Sequence, residues 1–232
     1  MNDYSSWQQE DKEQQQPYAA ASAEPDSLAG PAPLTGTQRF AKRSFDVAVS
    51  LLLLAFLLPF LAVISLAVLI DSGWPLFFRQ KRGGLGGRSF NIVKFRTMRV
   101  MEDGPRLEQA RRNDPRVTRL GAFLRRTSID ELPQLWNVLT GDMSLVGPRP
   151  HALAHDAYYG KLLRRYALRQ RMKPGITGLA QIGGWRGETA TLEAMAGRVE
   201  ADIHYIDHWS FLGDMKILLR TARIVLFDRS AY

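Results

Sequence analysis

The chain contains no cysteine, which excludes disulfides, thiolate nucleophiles and cysteine-ligated metals. Histidine is scarce, with four residues in two i, i+4 pairs, His151/His155 and His204/His208. Neither pair carries the glutamate of an HExxH helix and no third ligand is evident, so these are expected to be surface or capping histidines rather than a zinc site. Acidic residues are outnumbered, 23 against 31 lysines and arginines, for a formal charge of +8 over 232 residues. Partners are therefore expected to be anionic: nucleic acid, an acidic membrane surface or a phosphorylated substrate. Chemistry must come from carboxylates, histidines, hydroxyls and arginines.

Residues 1–37 lack apolar periodicity and are rich in Gln, Ser, Ala and Pro. They cannot bury enough surface to offset chain entropy and are expected to form a disordered cytosolic tail. A secretory signal is disfavoured, because the apolar run starts only near residue 47 and no small-residue cleavage site follows.

Charge is missing altogether from Val47 to Ile70. As one straight helix this run would measure about 36 Å, enough to cross a bilayer. Pro59 near its middle removes a backbone donor and predicts a break. Arg39, Lys42 and Arg43 precede the run and Arg79, Lys81 and Arg82 follow it, which puts both flanks on the cytoplasmic side. A re-entrant helix-break-helix hairpin over 38–73 satisfies both observations, with a single-pass anchor as the alternative.

Residues 74–232 then read as a cytosolic catalytic domain. Alternating and β-branched stretches on either side of the glycines at 83–87 predict two short strands joined by a loop. No Gly-Lys-Ser/Thr follows those glycines, so they do not make a nucleotide P-loop. From Arg79 to Arg126 there are fourteen basic residues against four acidic ones, a density suited to anionic headgroups or a polyphosphate. The remainder predicts helices near 106–112, 117–126, 130–140 and 152–169 and a long one from about 189. In "DMKILLRTARIVLF" Lys216, Arg220 and Arg223 share one face and Ile217, Leu218, Ile224 and Val225 another. That suits either a helix lying in the membrane interface or a core-packed helix with a wet face. The expected fold class is mainly α with a short β-hairpin, membrane-associated, with interfacial amphipathic helices.

The densest constellation is "RRTSIDELPQLWNVLTGDMSLVGPRP" (125–150). Ser128 with Glu131 fits a capping box, and Asp130 and Glu131 suit a first helical turn. Alternatively, one carboxylate attacks phosphorus while its neighbour holds a divalent cation, since acyl phosphates are reactive toward a second nucleophile.

Together with "KRSFDV", "FRQKRGGLGGRSFNIVKFRTM", "KPGITGLAQIGGWRGET" and "YIDHWSFLGDMKILLRT", this stretch resembles the bacterial sugar transferases called monotopic phosphoglycosyl transferases, from about Lys42 to Arg220. The resemblance implies transfer of a hexose-1-phosphate from a UDP-sugar to undecaprenyl phosphate with release of UMP, as the first step of exopolysaccharide assembly. It implies Asp130 as the nucleophile that forms a phosphosugar-aspartyl intermediate and Glu131 as a Mg2+ ligand. Lys94, Arg125, Arg149 and Arg186 become the phosphate-binding positions, and Pro59 the hairpin break. Many members have serine before that proline. Here it is Leu58, which leaves Ser50 or Ser65 to serve the exposed backbone. The implied place is the cytoplasmic face of the inner membrane. Glucose is the expected sugar and galactose the alternative, because the chain, read from Met1, resembles short galactose-1-phosphate transferases in architecture. A homodimer and docking of later glycosyltransferases stay open. A non-catalytic membrane scaffold is opposed by the intact Asp130–Glu131 pair. Only charge suggests a nucleic-acid binder, so no nucleic-acid partner is expected.

Overall fold

The structure, a computed structural model, describes residues 33–99, 114–185 and 191–227. The helix expected near 106–112, Arg186 and most of the expected tail lie outside the described residues. The tail ends earlier than expected: Leu34 is buried in the main core, and Thr35 caps the first helix through Gln38 in a reciprocal capping box.

That helix, α1 (Gly36–Ser72), is long and apolar enough to cross a membrane, and only 11% of its most apolar window is buried. Pro59 lies inside it, and the helix continues through the proline, where the sequence predicted a break. Phe56 and Ile70 are each 79% exposed. Two separate parts of α1 nevertheless pack on the rest of the protein. Phe45, Val49 and Leu54 join the main core, whereas Leu61, Ile64 and Val68 join a second cluster around Phe95 and Leu124. Neither serine expected to serve the proline does so visibly: the Ser65 hydroxyl donates to the Leu61 carbonyl at 2.7 Å, and Ser50 is fully buried.

The N-terminal end of α1 is clamped by charge. Lys42 Nζ donates to Asp214 Oδ2 at 2.6 Å and to the Val146 carbonyl at 3.0 Å. Asp46 accepts from the Leu145 amide, and Arg43 donates to the Val138 and Leu139 carbonyls.

Strands β1 (Phe77–Gly83) and β2 (Ser89–Phe95) form the expected antiparallel hairpin, with Phe78 opposite Lys94. A second pair was not foreseen: β3 (Ser144–Val146) and β4 (Gly175–Thr177) run parallel. Three-residue strands carry too little pattern for the two-residue period to register. Around these sheets pack α2 (Arg119–Thr127), α3 (Gln134–Thr140), α4 (Leu153–Leu162), the short α5 (Leu179–Ile182), α6 (Leu192–Asp207) and α7 (Phe211–Phe227). The helix expected over 152–169 stops at Leu162, and a 3-10 turn follows at Tyr166–Arg171. On α7 the burial is mixed. Ile217 is buried and Lys216, Arg220 and Arg223 face outward, but Leu212 and Leu219 are exposed as well.

Candidate active site

The turn between α2 and α3 makes the site. Helix α2 ends at Ser128, whose φ of 58° and ψ of 17° put it in the left-handed region. It is the only non-glycine residue at positive φ among those described, a conformation that costs energy and concentrates at functional turns. The chain then makes one 3-10 turn, Ile129–Glu131, before Pro133 opens α3. The expected capping box does not form. Ser128 makes no side-chain cap hydrogen bond, and the Glu131 carboxylate is committed elsewhere.

Glu131 Oε1 accepts from Lys94 Nζ and from Arg149 Nη2, both at 2.7 Å. Lys94 reaches it from β2, where the strand's alternation sends Phe95 into the second core cluster and Lys94 to the opposite face. Arg149 reaches it from the loop after β3. In Pro148-Arg149-Pro150 both flanking rings fix φ, and each residue before a proline is confined to extended backbone. The loop is also closely packed: a Cβ on Gly147 would collide with the Lys173 carbonyl oxygen. Asp130 is only 7% exposed. Arg125, on the last turn of α2, donates to Thr97 Oγ1 at 2.9 Å and adds a cation to the field around Asp130. Thus the fold brings Lys94, Arg125, Asp130, Glu131 and Arg149 together. Pro59 stands apart from them in α1, and Arg186 lies outside the described residues.

The two adjacent carboxylates are driven apart electrostatically. Burial pushes Asp130 up to about 6; Lys94 opposes the rise and Glu131 adds to it. Burial also opposes ionisation of Glu131, but Arg149 and Lys94 override it and hold that carboxyl well below its usual range. Burial in turn lowers Lys94 despite the adjacent Glu131. Glu131 is therefore a fixed anion and Asp130 a group that titrates near neutrality, which is how paired carboxylates come to serve different roles. Among the described residues no group of three or more His, Asp or Glu forms a metal cage.

Behind Arg149 lies a cleft of about 260 Å³, counting space open to solvent, with Gly83, Gly84, His151, Asp156 and Arg169 among its lining. His151 was expected at the surface and is instead buried, 5% exposed. The α4 and 3-10 elements after the proline loop close over it, and its Nδ1 lies 2.6 Å from the Tyr166 hydroxyl. His204 and His208 are exposed, as expected. Sequence reasoning did not single out Arg169 or Asp202 for this region. They come from separate elements, and only the fold brings them beside Arg149.

Residues 37–228 match the family described as bacterial sugar transferase. A UDP-glucose:undecaprenyl-phosphate glucose-1-phosphate transferase of Escherichia coli is 52% identical over 200 residues, covering 86% of this chain and 43% of that protein. A protein of the same description from Caulobacter vibrioides is 53% identical over 203 residues, covering 88% of this chain and 76% of the relative. A UDP-galactose-lipid carrier transferase of Erwinia amylovora is 39% identical over 211 residues, covering 84% of this chain and 42% of that protein. The chain spans less than half of the Escherichia coli and Erwinia relatives, and the region it shares with all three contains the Asp130–Glu131 turn, the β-hairpin and the proline loop. With a family match over most of its length and 53% identity over the aligned residues to a relative of which it covers 76%, the chain belongs to the bacterial sugar transferase family.

Proposed function

We propose that this protein transfers glucose-1-phosphate from UDP-glucose to undecaprenyl phosphate, releasing UMP and starting an exopolysaccharide chain. The observation that carries the reading is the Asp130–Glu131 turn: a buried carboxylate titrating near neutrality beside a fixed anion that is itself held by two cations. Glucose is favoured over galactose because the relatives named for glucose share 52% and 53% identity, against 39% for the one named for galactose.

The chemistry follows from the side chains. An ionised Asp130 oxygen attacks the β-phosphorus of the UDP-sugar. The bond from that phosphorus to the bridging oxygen breaks, and UMP leaves with the electron pair. The aspartyl phosphosugar so formed is then attacked by a phosphate oxygen of undecaprenyl phosphate, which restores Asp130 and yields the lipid-linked sugar diphosphate. Two easier displacements replace one difficult one. Lys94, Arg125 and Arg149 supply preorganised positive charge for oxygens on which negative charge builds, and Arg149 can engage a phosphate through two parallel donors. Arg186 completes this set in the proposal.

Mg2+ is the proposed cofactor. The hard carboxylate oxygens of Glu131 suit it, and an ion that takes most of its ligands from water and phosphate needs no all-protein cage. Held by Glu131, it would neutralise charge on the sugar diphosphate. Chelation should therefore stop UMP release, and added magnesium should restore it.

The proposed place of work is the cytoplasmic face of the inner membrane, with α1 entering and leaving by one leaflet. Packing of both halves of α1 on the catalytic domain supports this reading, as do Pro59 and the basic residues at both flanks. UDP-sugar and the lipid phosphate are then met at one surface.

The test is incubation of the detergent-purified protein with undecaprenyl phosphate, magnesium and either UDP-glucose or UDP-galactose, identifying the nucleotide released. UMP with a lipid-linked glucose phosphate is expected. UDP would mean that the phosphate stayed behind, and no nucleotide from any UDP-sugar would leave a scaffold role.

A pH dependence follows from the same geometry. Attack requires ionised Asp130, whose proton is lost only as pH rises through about 6. The kcat/KM for UMP release should climb with a midpoint near pH 6, against about 4 for an ordinary aspartate. Burial also pushes Asp156 up to about 6, so the profile is to be repeated with Asp156→Asn. A limb that disappears with that substitution would assign the titration to the wrong carboxylate.

A further inference from the structure

We propose that Arg169, held by Asp202, is a positioning residue that fixes the main chain of Arg149 and through it the phosphate-binding guanidinium. This rests on the reading of Arg149 as a phosphate ligand.

Arg149 has two jobs that pull on one side chain, since its guanidinium already bridges to Glu131 and must also meet a phosphate. Its direction therefore has to be set by its backbone. The flanking prolines limit φ and ψ but do not fix where the loop sits. Arg169 does that: its Nη2 donates to the Arg149 carbonyl at 2.7 Å. The other edges of the same guanidinium are also held. Nε donates to Asp202 Oδ2 at 2.7 Å, and Nη1 lies 2.9 Å from His151 Nδ1, two residues beyond Arg149. Its face lies 5.2 Å from the centre of the Tyr166 ring.

An arginine can only donate. In this arrangement His151 Nδ1 therefore accepts, which requires an uncharged imidazole. Burial, followed by the charges of Arg169 and Arg198, holds the His151 pKa well below its usual value, in agreement with that requirement. Arg169 thus fastens the loop at two points, one before and one after Pro150.

The burial of the pair argues for a geometric purpose. Arg169 is 5% exposed and Asp202 1%. Desolvating two charges costs about as much as their attraction returns, and apolar side chains of similar volume often serve stability as well. A planar fork with three engaged edges provides direction, which an apolar pair cannot supply.

The test is a double-mutant cycle on the full chain in detergent, with UDP-glucose, undecaprenyl phosphate and magnesium. Arg169→Lys keeps the charge but cannot engage Asp202, His151 and the Arg149 carbonyl together. It should lower kcat/KM about 10- to 100-fold, the scale of a displacement of roughly 1 Å at a reacting centre. In an Arg149→Lys background the same change should cost less than about 3-fold, because residues acting through one another are not additive. Equal losses in both backgrounds would overturn the positioning role, since a merely structural defect does not depend on which side chain stands at 149. Where Arg169→Lys does not fold, Asp202→Asn, which keeps one acceptor and drops the charge, completes the same cycle with the same expectations. If the wild type releases no UMP, the transferase reading fails and this one with it; if it releases UMP and the losses are equal, only the positioning role fails.

Discussion

Asp130→Asn is expected to abolish UMP release, by a factor on the order of 10³ or more, while making the folded protein more stable at pH 8. The loss follows from removing the attacking oxyanion, a class of change that eliminates the covalent route altogether. The gain in stability follows from linkage. Asp130 titrates at about 6 in the fold, against 3.8 as its ordinary value. A folded pKa raised above the unfolded one means that ionisation is penalised in the native state. The penalty is absent below about 4, grows through the window between the two values, and is complete above about 6. At pH 8 it amounts to on the order of 3 kcal/mol for a group this deeply buried. A neutral amide of the same shape does not bear it, so thermal unfolding should move up by several degrees.

This pairing of effects separates two readings that the local sequence leaves open. If Asp130 served mainly to stabilise a helical first turn, its replacement would lower stability and leave transfer largely intact. If it is the nucleophile in a desolvated site, activity falls and stability rises, the usual trade between a strained functional group and the fold that carries it. Retained transfer in Asp130→Asn would falsify the nucleophile assignment outright.

The same turn shows how far the sequence could be read. The β-hairpin, α2, α3 and α6 were legible because each carries several residues of pattern and a terminating signal: Thr118 caps α2 and Thr191 caps α6. Convergence of Lys94, Arg125, Asp130, Glu131 and Arg149 was legible through family resemblance rather than through spacing. Local rules favoured a Ser128–Glu131 capping box, and tertiary charge defeated them. Lys94 and Arg149, 37 and 18 residues away in sequence, draw the Glu131 carboxylate away from the helix start, and Ser128 adopts a left-handed turn instead. His151 was misplaced at the surface for the same kind of reason. Its i, i+4 relation to His155 says nothing about Arg169, Tyr166 and Arg198, which surround it only after folding. Buried charge pairs such as Arg169–Asp202 are the least legible feature of all, because an isolated arginine and an isolated aspartate look like ordinary surface residues until both are found desolvated.

The second large effect is expected at the clamp between α1 and the catalytic domain. Lys42 and Asp214 are paired at 2.6 Å with side chains 8% and 3% exposed, and buried Asp46 shares the field of both, so removing Lys42 leaves two buried carboxylates without their cation, whereas removing Asp214 leaves Lys42 facing Asp46 alone. Such breaks cost about 3–5 kcal/mol, which for a domain of this size lowers Tm by roughly 10 °C. The two single substitutions should differ in a predictable order. After Lys42→Met, Asp214 keeps donors from the Tyr205 hydroxyl at 2.8 Å and from Trp209 Nε1 at 3.1 Å. After Asp214→Leu, the Lys42 ammonium keeps the Val146 carbonyl, a 3.4 Å contact with the Tyr205 hydroxyl and the charge of Asp46, whereas Lys42→Met leaves Asp46 and Asp214 repelling each other. Lys42→Met should therefore be the more damaging. The double substitution Lys42→Met/Asp214→Leu should recover much of the loss, because it removes both desolvated charges at once and leaves volume that apolar atoms can fill. Thermal unfolding of the three variants in detergent tests the order. Additive losses, with the double variant worst, would mean that the pair holds α1 by attraction that apolar packing cannot replace. Recovery would mean that charge at this junction fixes which residues of α1 meet β3 and α7, while the strength of the attachment comes from the packing of Phe45 and Val49 on the main core.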